Sequence, residues 1–477
     1  MKVRTRFAPS PTGDPHIGNI RTALFEYLFA RSQKGEFLLR IEDTDQERLV
    51  PGSMERILES LRWLGMDFDN KKPMVQSERL ETYQKAALKL VEEGKAYICT
   101  CSKDRLEKLR EEQIKKGLPP RYDGHCRISN SEFRISNQDI NPNFQIPKGA
   151  VIRMKMPEKG VIKFKDLIRG EVEFDLSLLD DQIILKSDGY PTYHLASVVD
   201  DHEMEITHVI RAEEWLSSTP KHMLLYEMLG WKAPEFAHLS LLLGPDKKKL
   251  SKRHGATNIL QYKEMGYLPE ALVNFMVFLG WNPKDEREEF TLEELEKEFK
   301  LENVNKSPSI FTIEKLNDIN EKYIREQVKS QKSKVKSLIE EFGIKDLRPE
   351  ELELIGRGGY ATLKDAAEYI EKLRKEPQYD GKLLVFKKST KPSTLKGLEE
   401  TRNKIQETND KEWNEQELTM QLGLIVERND LTNGDVFWPV RVALSGKEKS
   451  PSPVELLMAL GKEESLKRIK KAIDKLI

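Results

Sequence analysis

The chain has little of what anchors a protein in a membrane or cross-links it outside the cell. Its 477 residues include three cysteines, and the hydrophobic 38% forms no apolar run of about 18 residues that could cross a bilayer. The first residues also lack the apolar segment of a signal peptide. An odd cysteine count without such a segment argues against a disulfide scaffold and favours a reducing compartment. We therefore expect a cytoplasmic protein without a membrane segment.

An excess of basic charge is missing as well. The net charge is −1, although 33% of the residues are charged. Nucleic-acid-binding domains are often strongly basic, so this balance argues against a nucleic-acid binder. Large tRNA enzymes can nevertheless concentrate Lys and Arg on one face, so local runs of these residues matter more than the net charge. The chain is also too long for one hydrophobic core, which predicts two to four domains.

The most informative stretch is residues 2–31, KVRTRFAPSPTGDPHIGNIRTALFEYLFAR. Alternation at Val3, Thr5 and Phe7 predicts a strand, and the prolines and glycine that follow predict a tight loop. Apolar residues at spacings of three and four then predict a helix that begins near His16. A strand, such a loop and a helix N-terminus form a phosphate site in open α/β sheets. The alternative is an ordinary turn in which His16 only caps the helix.

Three further patterns carry chemistry. A second predicted strand runs into Glu42-Asp43-Thr44-Asp45, which places carboxylates either at a ligand-binding sheet edge or in a turn cap. Arg211 has a guanidinium that can bind a carboxylate through two parallel bonds, although a structural ion pair is the alternative for it and for Arg6. The lysine-rich loop at residues 244–256, GPDKKKLSKRHGA, is either solvated or able to neutralise charge on a leaving phosphate.

The cysteines lie close together in the sequence. One residue separates Cys99 from Cys101, and 24 residues separate Cys101 from Cys126. Thiolates at this spacing are typical of a structural zinc site, and three reduced cysteines in a loop-rich segment are the alternative. From Val151 to Asp175, alternating runs predict an antiparallel sheet, and beyond residue 325 helical periodicity dominates.

Taken together, PSPTGDPHIGN, RIEDTD, YPTYHLASVVDDHEMEITHVIRAEEW and KLSKR resemble the signatures of class I aminoacyl-tRNA synthetases for glutamate and glutamine, and the whole chain resembles the bacterial glutamyl type. The resemblance implies an α/β fold: a Rossmann-like parallel-sheet catalytic domain with an α+β insertion, then an all-α anticodon-binding region. The implied segments are 1–98 (first half of the catalytic domain), 99–185 (insertion that binds the tRNA acceptor end), 186–325 (second half and lysine-loop region) and 326–477 (anticodon-binding helices).

The resemblance also implies site residues. Catalytic roles fall to His16, Lys249 and Lys252. The implied ATP site comprises Ser10, Thr12, Gly13, His16, Gly18, Asn19, Trp215, Leu242, Lys249, Ser251, Lys252 and Arg253, with Glu214 nearby. The implied glutamate site comprises Arg6, Ala8, Ser10, Glu42, Tyr193, Ser197 and Arg211. Ser197 stands where the family commonly has Asn, and we expect a modest effect because a serine still forms hydrogen bonds.

Two implied sites depart from the family pattern. Some members have a fourth zinc ligand, a histidine two residues after the last cysteine, where this chain has Ile128. We expect Tyr122 to complete the set with Cys99, Cys101 and Cys126, and His125 is the alternative. An arginine that discriminates between tRNA anticodons is expected at residues 356–363. We place it at Arg357, and Gly359 is the alternative, which would imply that tRNA(Gln) is accepted too.

The implied function is ATP-dependent ligation of L-glutamate to tRNA(Glu) through a glutamyl-adenylate, with Mg²⁺ accompanying ATP and a structural Zn²⁺ as a further expectation. We expect a monomer. Within the same class of enzyme, the alternative is a synthetase that also or only charges tRNA(Gln). From another class, the alternative is an RNA-binding paralogue without catalysis. The presence of both His16 and Lys252 argues against that paralogue.

Overall fold

The computed structural model describes residues 2–129, 147–251 and 258–477, with side chains described up to residue 127 in the first range. Lys252 and Arg253, both expected at the ATP site, lie outside the described residues, as does the side chain of Ile128. The chain divides into two compact units. Unit 1 comprises Met1–Tyr262 and Leu272–Thr312, and unit 2 comprises Lys263–Ala271 and Ile313–Ile477.

Unit 1 contains all the strands of the described chain. They are β1 Arg4–Phe7, β2 Glu36–Ile41, β3 Met74–Val75, β4 Ala96–Cys99, β5 Val151–Met154, β6 Val161–Asp166, β7 Gly170–Asp175, β8 Ile183–Leu185, β9 His208–Ala212, β10 Glu235–Leu239, β11 Leu242–Leu243 and β12 Ser309–Ile310.

The helices between these strands include two, α8 and α9, that cross the division between the units. They are α1 Ile17–Ser32, α2 Ser53–Trp63, α3 Leu80–Glu92, α4 Lys103–Lys115, α5 His125–Ser129, α6 Tyr193–Glu203, α7 Thr219–Leu229, α8 Ile259–Glu264, α9 Pro269–Phe278 and α10 Leu292–Glu298.

Parallel strands form the frame of unit 1. β1, β2 and β3 pair in parallel, and β9 pairs in parallel with β10. The two groups meet beside β1, because the N–H of Thr207 donates to the carbonyl of Arg4 at 3.0 Å. Parallel strands direct their carboxyl ends to one edge, where ligands bind in α/β folds. This arrangement confirms the predicted Rossmann-like fold.

Helix α1 shows why the sequence folds in this way. Its apolar residues at spacings of three and four, including Ile20, Leu24 and Leu28, are completely buried. Each such side chain removed from water stabilises the fold by about 1.5–3 kcal/mol. The helix therefore packs firmly against the sheet and fixes the position of its N-terminus, which follows the loop after β1.

The three strands between Val151 and Asp175 form antiparallel pairs as predicted, but they belong to two sheets and not to one. β5 lies between β4 and β8 in one antiparallel sheet, whereas β6 and β7 form a hairpin in another. The free edge of β6 pairs in parallel with β10, and Asp166 lies opposite Phe236. Alternation of apolar and polar residues specifies a strand and its buried face, but it does not specify the partner strand.

The described residues of unit 2 form helices joined by loops, with no strand, which confirms the predicted all-α region. Its further helices are α11 Ile313–Ser330, α12 Lys332–Glu340, α13 Pro349–Gly356, α14 Leu363–Arg374, α15 Lys391–Glu407, α16 Glu415–Arg428, α17 Asn433–Ser445, α18 Pro453–Leu460 and α19 Lys462–Leu476. Leu, Ile, Val and Ala side chains from all nine form a single buried core. None of the helices in the described ranges is long and apolar enough to span a membrane.

Candidate active site

The N-terminus of α1 is capped by a ring nitrogen of His16. Nδ1 of His16 accepts a hydrogen bond from the N–H of Gly18 at 3.0 Å. A neutral imidazole that accepts at Nδ1 carries its hydrogen at Nε2, which makes Nε2 a donor. A Cβ at Gly18 would lie 3.3 Å from Nδ1, so the glycine leaves room for this contact. His16 therefore caps the helix and also offers a donor at a helix N-terminus, where anions bind.

His16 lines a cavity of about 380 Å³ at the carboxyl edge of the sheet. Of the residues expected at the ATP site, this cavity is lined by His16, Gly18, Asn19, Leu242, Lys249 and Ser251, together with Glu214. The chain that follows the lysine loop returns to the same place, since the N–H of Ile259 donates to the carbonyl of Pro15 at 3.1 Å. The first and second signatures are therefore adjacent in space.

Lys249 is positioned by a short hairpin. The N–H of Leu250 donates to the carbonyl of Leu242 at 2.9 Å, and Lys249 lies opposite Leu243 of β11 in an antiparallel bridge. Its ammonium group forms an ion pair with the carboxylate of Glu214. Both side chains are largely exposed to solvent, and such pairs are worth little stability. The pair instead fixes a cation at the mouth of the cavity.

A second cavity of about 240 Å³ adjoins the first. It is lined by Arg6, Ala8, Ser10, Glu42, Tyr193 and Arg211, all expected at the glutamate site. Asn19, Thr22, Ala212 and Glu214 line both cavities. A ligand in one cavity can therefore reach a ligand in the other. The end of β2 is tied to the first signature, because the N–H of Glu42 donates to the carbonyl of Pro9 at 2.9 Å.

Arg211 has a buried charge with no carboxylate beside it. Its side chain donates to the hydroxyl of Tyr193 at 2.9 Å, to that of Thr219 at 2.8 Å and to Nε2 of His238 at 3.0 Å. These acceptors are neutral, and no carboxylate of the described residues forms an ion pair with Arg211. A buried guanidinium is costly unless an anion compensates it. Arg211 is therefore not part of a structural ion pair among the described residues, which was the alternative to a ligand-binding role. Its charge is available to an anionic ligand.

Arg6 differs from Arg211 in having two carboxylate partners. Its guanidinium is paired with Asp201 at 2.9 Å and with Glu26 at 3.2 Å. The fully buried Arg40 also binds Asp201, at 2.6 Å, and it binds Glu42 at 3.0 Å. Burial raises the pKa of Glu42 above its ordinary value, although Arg40 opposes this effect. The structural ion-pair alternative therefore applies to Arg6, while Glu42 stays at the cavity wall.

Several expected site residues lie elsewhere. Ser197 is completely buried, and its hydroxyl lies 3.5 Å from both Asp201 and Arg40, not on the wall of either cavity. Thr12 and Gly13 also line neither of the two cavities. Trp215, expected on the ATP side, lies against Tyr193 in the smaller cavity, with ring centroids 4.4 Å apart.

Three other residues at the site have no recognisable pattern in the sequence. Arg21 lines the larger cavity and donates to the carbonyl of Leu279 at 2.7 Å, and burial lowers its pKa to about 10. Glu26 lines the smaller cavity, and burial raises its pKa well above the usual range. His238 contacts Arg211 from the neighbouring strand. On a helix or a strand, a single charged residue or histidine is indistinguishable from an ordinary one until its partners are known.

The three cysteines converge with Tyr122. The sulfur atoms of Cys99, Cys101 and Cys126 all lie within 4.8 Å of one another, and the Tyr122 oxygen lies 3.5 Å from those of Cys99 and Cys101. Zinc–sulfur bonds of about 2.3 Å place tetrahedral ligands roughly 4 Å apart, so this donor set fits zinc. Among the described residues, this is the one group of three or more Cys, His, Asp or Glu side chains that meets the geometry of a metal site. His125 is exposed and outside this group.

The Tyr122 oxygen is arranged as an acceptor. The N–H of Cys126 donates to it at 2.9 Å, and the guanidinium of Arg153 lies 3.9 Å from the centre of its ring. The backbone hydrogen bond favours negative charge on the phenol oxygen, but burial and the hydrogen bonds with Cys101 and Cys99 outweigh it and raise the pKa of Tyr122. Burial opposes ionisation of the Cys126 thiol, but hydrogen bonds from Tyr122 and the backbone of Thr100 outweigh it and lower the pKa to about 7.

In unit 2, Arg357 follows α13 and is held by carboxylates. Its guanidinium binds Glu415 and Glu455, each at 3.0 Å. Gly359 has φ +90°, and its N–H donates to Glu321 at 2.8 Å. A side chain at that φ is strained, so the backbone here requires glycine at position 359. Arg357, by contrast, has φ −79°. The correspondence of Arg357 to the discriminating arginine of the family stays a prediction.

Comparisons with known proteins agree with this geometry. Residues 2–318 match the family described as tRNA synthetases class I (E and Q), catalytic domain, and residues 354–473 match an anticodon binding domain. A glutamate–tRNA ligase of Dehalococcoides mccartyi is 44% identical over 500 residues, covering 100% of this chain and 98% of the relative. The glutamate–tRNA ligase of Clostridioides difficile is 40% identical and covers 98% of each chain.

Solved structures give the same result. A glutamate tRNA ligase from Elizabethkingia meningosepticum, crystallised in complex with its amino acid, superposes with a TM-score of 0.87. The two chains are 36% identical, and the match covers 100% of each. Two family matches in order, full-length relatives at 40% and 44% identity and a common fold establish the relationship. The chain belongs to the class I tRNA synthetases for glutamate and glutamine.

Proposed function

We propose that this chain ligates L-glutamate to tRNA(Glu), using ATP and forming a glutamyl-adenylate. The observation that carries the proposal is the buried guanidinium of Arg211, which has no carboxylate partner among the described residues and lines the smaller of two adjoining cavities. A substrate with a side-chain carboxylate compensates this charge, whereas the amide of glutamine does not. The full-length relatives are glutamate–tRNA ligases.

The walls of the smaller cavity suit an amino acid with three charged groups. Arg211 offers its positive charge to the side-chain carboxylate, and the hydroxyl of Tyr193, which accepts from Arg211 at 2.9 Å, offers a donor beside it. Glu42, which lines the same cavity, offers an acceptor to the α-ammonium group. The α-carboxylate is then directed to the side that Asn19, Thr22 and Glu214 share with the larger cavity.

The first step is attack by an α-carboxylate oxygen of glutamate on the α-phosphorus of ATP. A bond forms between them, the bond to the bridging oxygen of the β-phosphate breaks, and pyrophosphate leaves with the electron pair. No protein nucleophile takes part. Nε2–H of His16, the N-terminus of α1 and the ammonium group of Lys249 stabilise charge on the phosphates, together with Lys252. Catalysis here is positioning combined with charge stabilisation.

The second step transfers the glutamyl group. A hydroxyl of the terminal ribose of tRNA attacks the acyl carbon, and AMP leaves. The helices of unit 2, which match an anticodon binding domain over residues 354–473, bind the other end of the tRNA. Mg²⁺ arrives with ATP, since its octahedral preference is usually met by phosphate oxygens and water with few protein ligands.

A structural Zn²⁺ is part of the proposal. Cys99, Cys101, Cys126 and Tyr122 would hold it, and their convergence among the described residues supports this set. A closed set of four ligands leaves no position for a substrate, so the ion stabilises the segment around β4 and α5 and takes no part in the reaction.

The test is aminoacylation by the full chain with radiolabelled glutamate or glutamine, on purified tRNA(Glu) and on tRNA(Gln). We expect glutamate on tRNA(Glu) alone. Arg211→Gln should abolish charging at ordinary glutamate concentrations, while Arg31→Gln, which removes a half-buried arginine paired with Asp69, should not affect it. Comparison of the two variants separates the effect of losing the buried charge of Arg211 from the effect of losing any one positive charge.

The alternatives predict different results in the same assay. Glutamate on both tRNAs identifies a non-discriminating enzyme, and glutamate on tRNA(Gln) alone identifies a specialised one. In either case Arg357, which is held by two carboxylates, is not the residue that excludes tRNA(Gln). Binding of tRNA without charging by any amino acid identifies a non-catalytic paralogue and overturns the proposal.

A further inference from the structure

His238 lies between Arg211 and a buried carboxylate. In the parallel pairing of β9 with β10, His238 is opposite Arg211, and both side chains are buried. Nε of Arg211 donates to Nε2 of His238 at 3.0 Å. On the other side of the ring, Nδ1 lies 2.6 Å from Oδ2 of Asp166. The three groups form a continuous chain from carboxylate through imidazole to guanidinium.

Asp166 determines which ring nitrogen carries the hydrogen. Its Oδ1 accepts from the N–H groups of Ile168 at 2.9 Å and Arg169 at 2.7 Å. Burial opposes ionisation, but hydrogen bonds from His238 and from these N–H groups outweigh it and lower the pKa of Asp166. An ionised carboxylate only accepts, so Nδ1 of His238 must donate to it. Nε2 then presents its lone pair to Arg211.

We propose that His238 is a positioning residue for substrate recognition: with its hydrogen held on Nδ1 by Asp166, it orients Arg211 towards the substrate's side-chain carboxylate without neutralising the guanidinium. This role rests on the proposed function. Arg6 provides the contrast within the same site, because it contacts the carboxylate of Asp201 directly. A carboxylate in the place of His238 would form the same closed pair with Arg211. The neutral imidazole holds the guanidinium in place and leaves its charge for the ligand.

The variant Asp166→Asn tests the position of the hydrogen with almost no change in size. The Asn oxygen keeps the contacts to the two backbone N–H groups, so its NH₂ group faces Nδ1 of His238 and donates. The ring hydrogen of His238 then moves to Nε2. Nε2–H of His238 and Nε–H of Arg211 are then two donors that face each other without an acceptor. An Asn at the equivalent place of a Ser–His–Asp triad acts in the same way, through the wrong tautomer.

In the variant His238→Gln, the acceptor that faces Arg211 no longer depends on Asp166. A glutamine oxygen can replace Nε2 as an acceptor for Arg211, whereas His238→Ala offers no acceptor. His208→Gln is the matched control, because His208 begins the same strand as Arg211 and binds Thr207 instead. The steady-state constants for glutamate and for ATP are measured in the full chain with tRNA present.

We expect Asp166→Asn and His238→Ala to raise KM for glutamate about 10- to 100-fold, the range for a lost hydrogen bond to a charged group. KM for ATP should change by no more than about twofold, because these variants weaken a binding contact to glutamate and none to ATP. His238→Gln should retain most of the glutamate affinity. Adding Asp166→Asn to His238→Gln should have no further effect, because glutamine has no tautomer to set.

Other results overturn the inference. A wild type that charges no glutamate refutes the proposed function and this role with it. If the wild type charges glutamate, two results refute only the role of His238. In the first, the variants leave KM for glutamate unchanged, and in the second they raise KM for glutamate and for ATP equally. Additive effects of Asp166→Asn and His238→Gln also refute it. If Asp166→Asn does not fold, as judged by circular dichroism, the comparison of His238→Ala with His238→Gln decides.

Discussion

The carboxylate of Glu214 accepts a hydrogen bond from the ammonium group of Lys249, and Glu214 lines both the larger and the smaller cavity. The pair holds a lysine of the second signature at the boundary where a nucleotide phosphate and an amino-acid carboxylate would meet. Because Lys249 is tethered and still exposed, it can exchange Glu214 for a phosphate oxygen at little cost.

Lys249→Ala should slow adenylate formation about 100-fold, the typical effect of removing one stabilising group from a charged transition state. Lys248→Ala is the control, because Lys248 lies in the same hairpin and is exposed. The measurement is tRNA-dependent exchange of pyrophosphate into ATP. Equal losses in the two variants would show that general positive charge in the hairpin matters, and not the position held by Glu214.

His16→Ala should remove a helix cap and a phosphate donor together. Loss of a cap costs about 0.5–2 kcal/mol of stability, and loss of the donor should slow adenylate formation about 100-fold. His16→Asn separates the two effects, since an asparagine oxygen can cap α1 but does not occupy the place of Nε2. We expect His16→Asn to unfold near the wild-type temperature and to remain slow. Recovery of the rate in His16→Asn would reduce His16 to a structural cap.

Protein purified without added metal should contain about one equivalent of zinc, measured by elemental analysis. Tyr122→Phe should lower this content or weaken retention against a chelator, because the phenol oxygen lies beside two of the three sulfurs. His125→Ala should retain the metal. A wild type far below one equivalent would exclude the site, and loss in His125→Ala but not in Tyr122→Phe would make the histidine the fourth ligand.

Glu351 should make unit 2 sensitive to acid. Burial opposes its ionisation, but hydrogen bonds from Arg374 and Arg348 outweigh it and lower the pKa to about 2. Its folded pKa is below its unfolded value of about 4.5, so its stabilisation is complete above that pH and is lost as pH falls towards 2. At pH 7 the contribution is about 3 kcal/mol.

The variant Glu351→Gln should therefore unfold at a lower temperature than the wild type at pH 7, and the difference should shrink at pH 4.5 and again at pH 3.5. Glu350→Gln is the control, since Glu350 lies next to it on α13 and is not fully buried. A difference that stays constant over this range would show that Glu351 acts through packing and not through its charge.

Local patterns in the sequence predict most of the frame and part of the site. The strand, loop and helix around His16 follow from alternation, proline and helical spacing, all within about 30 residues. Arg211, Glu42 and Tyr193 were expected through resemblance, and the structure brings them to one cavity. The roles of these residues remain predictions, as do the four segment boundaries.

The parts that the sequence could not predict depend on distant partners. His238 in EFAHL is typical of a strand interior, and its significance comes from Asp166, which is 72 residues away. Arg21 resembles any charged residue on a helix until the carbonyls of Leu279 and Ser240 are seen to accept from it. The edge of β10 had no sequence signal for its partner β6, because backbone hydrogen bonds do not depend on side-chain identity.

The pairing of β6 with β10 means that the inserted segment is not an independent module. Asp166 ends β6, which comes from residues 99–185, yet it fixes the imidazole that holds Arg211 in the second half of the sheet. A chimera that takes this segment from a relative therefore inherits one determinant of amino-acid selection along with any contact to RNA. Deleting the hairpin of β6 and β7 should likewise impair the choice of amino acid.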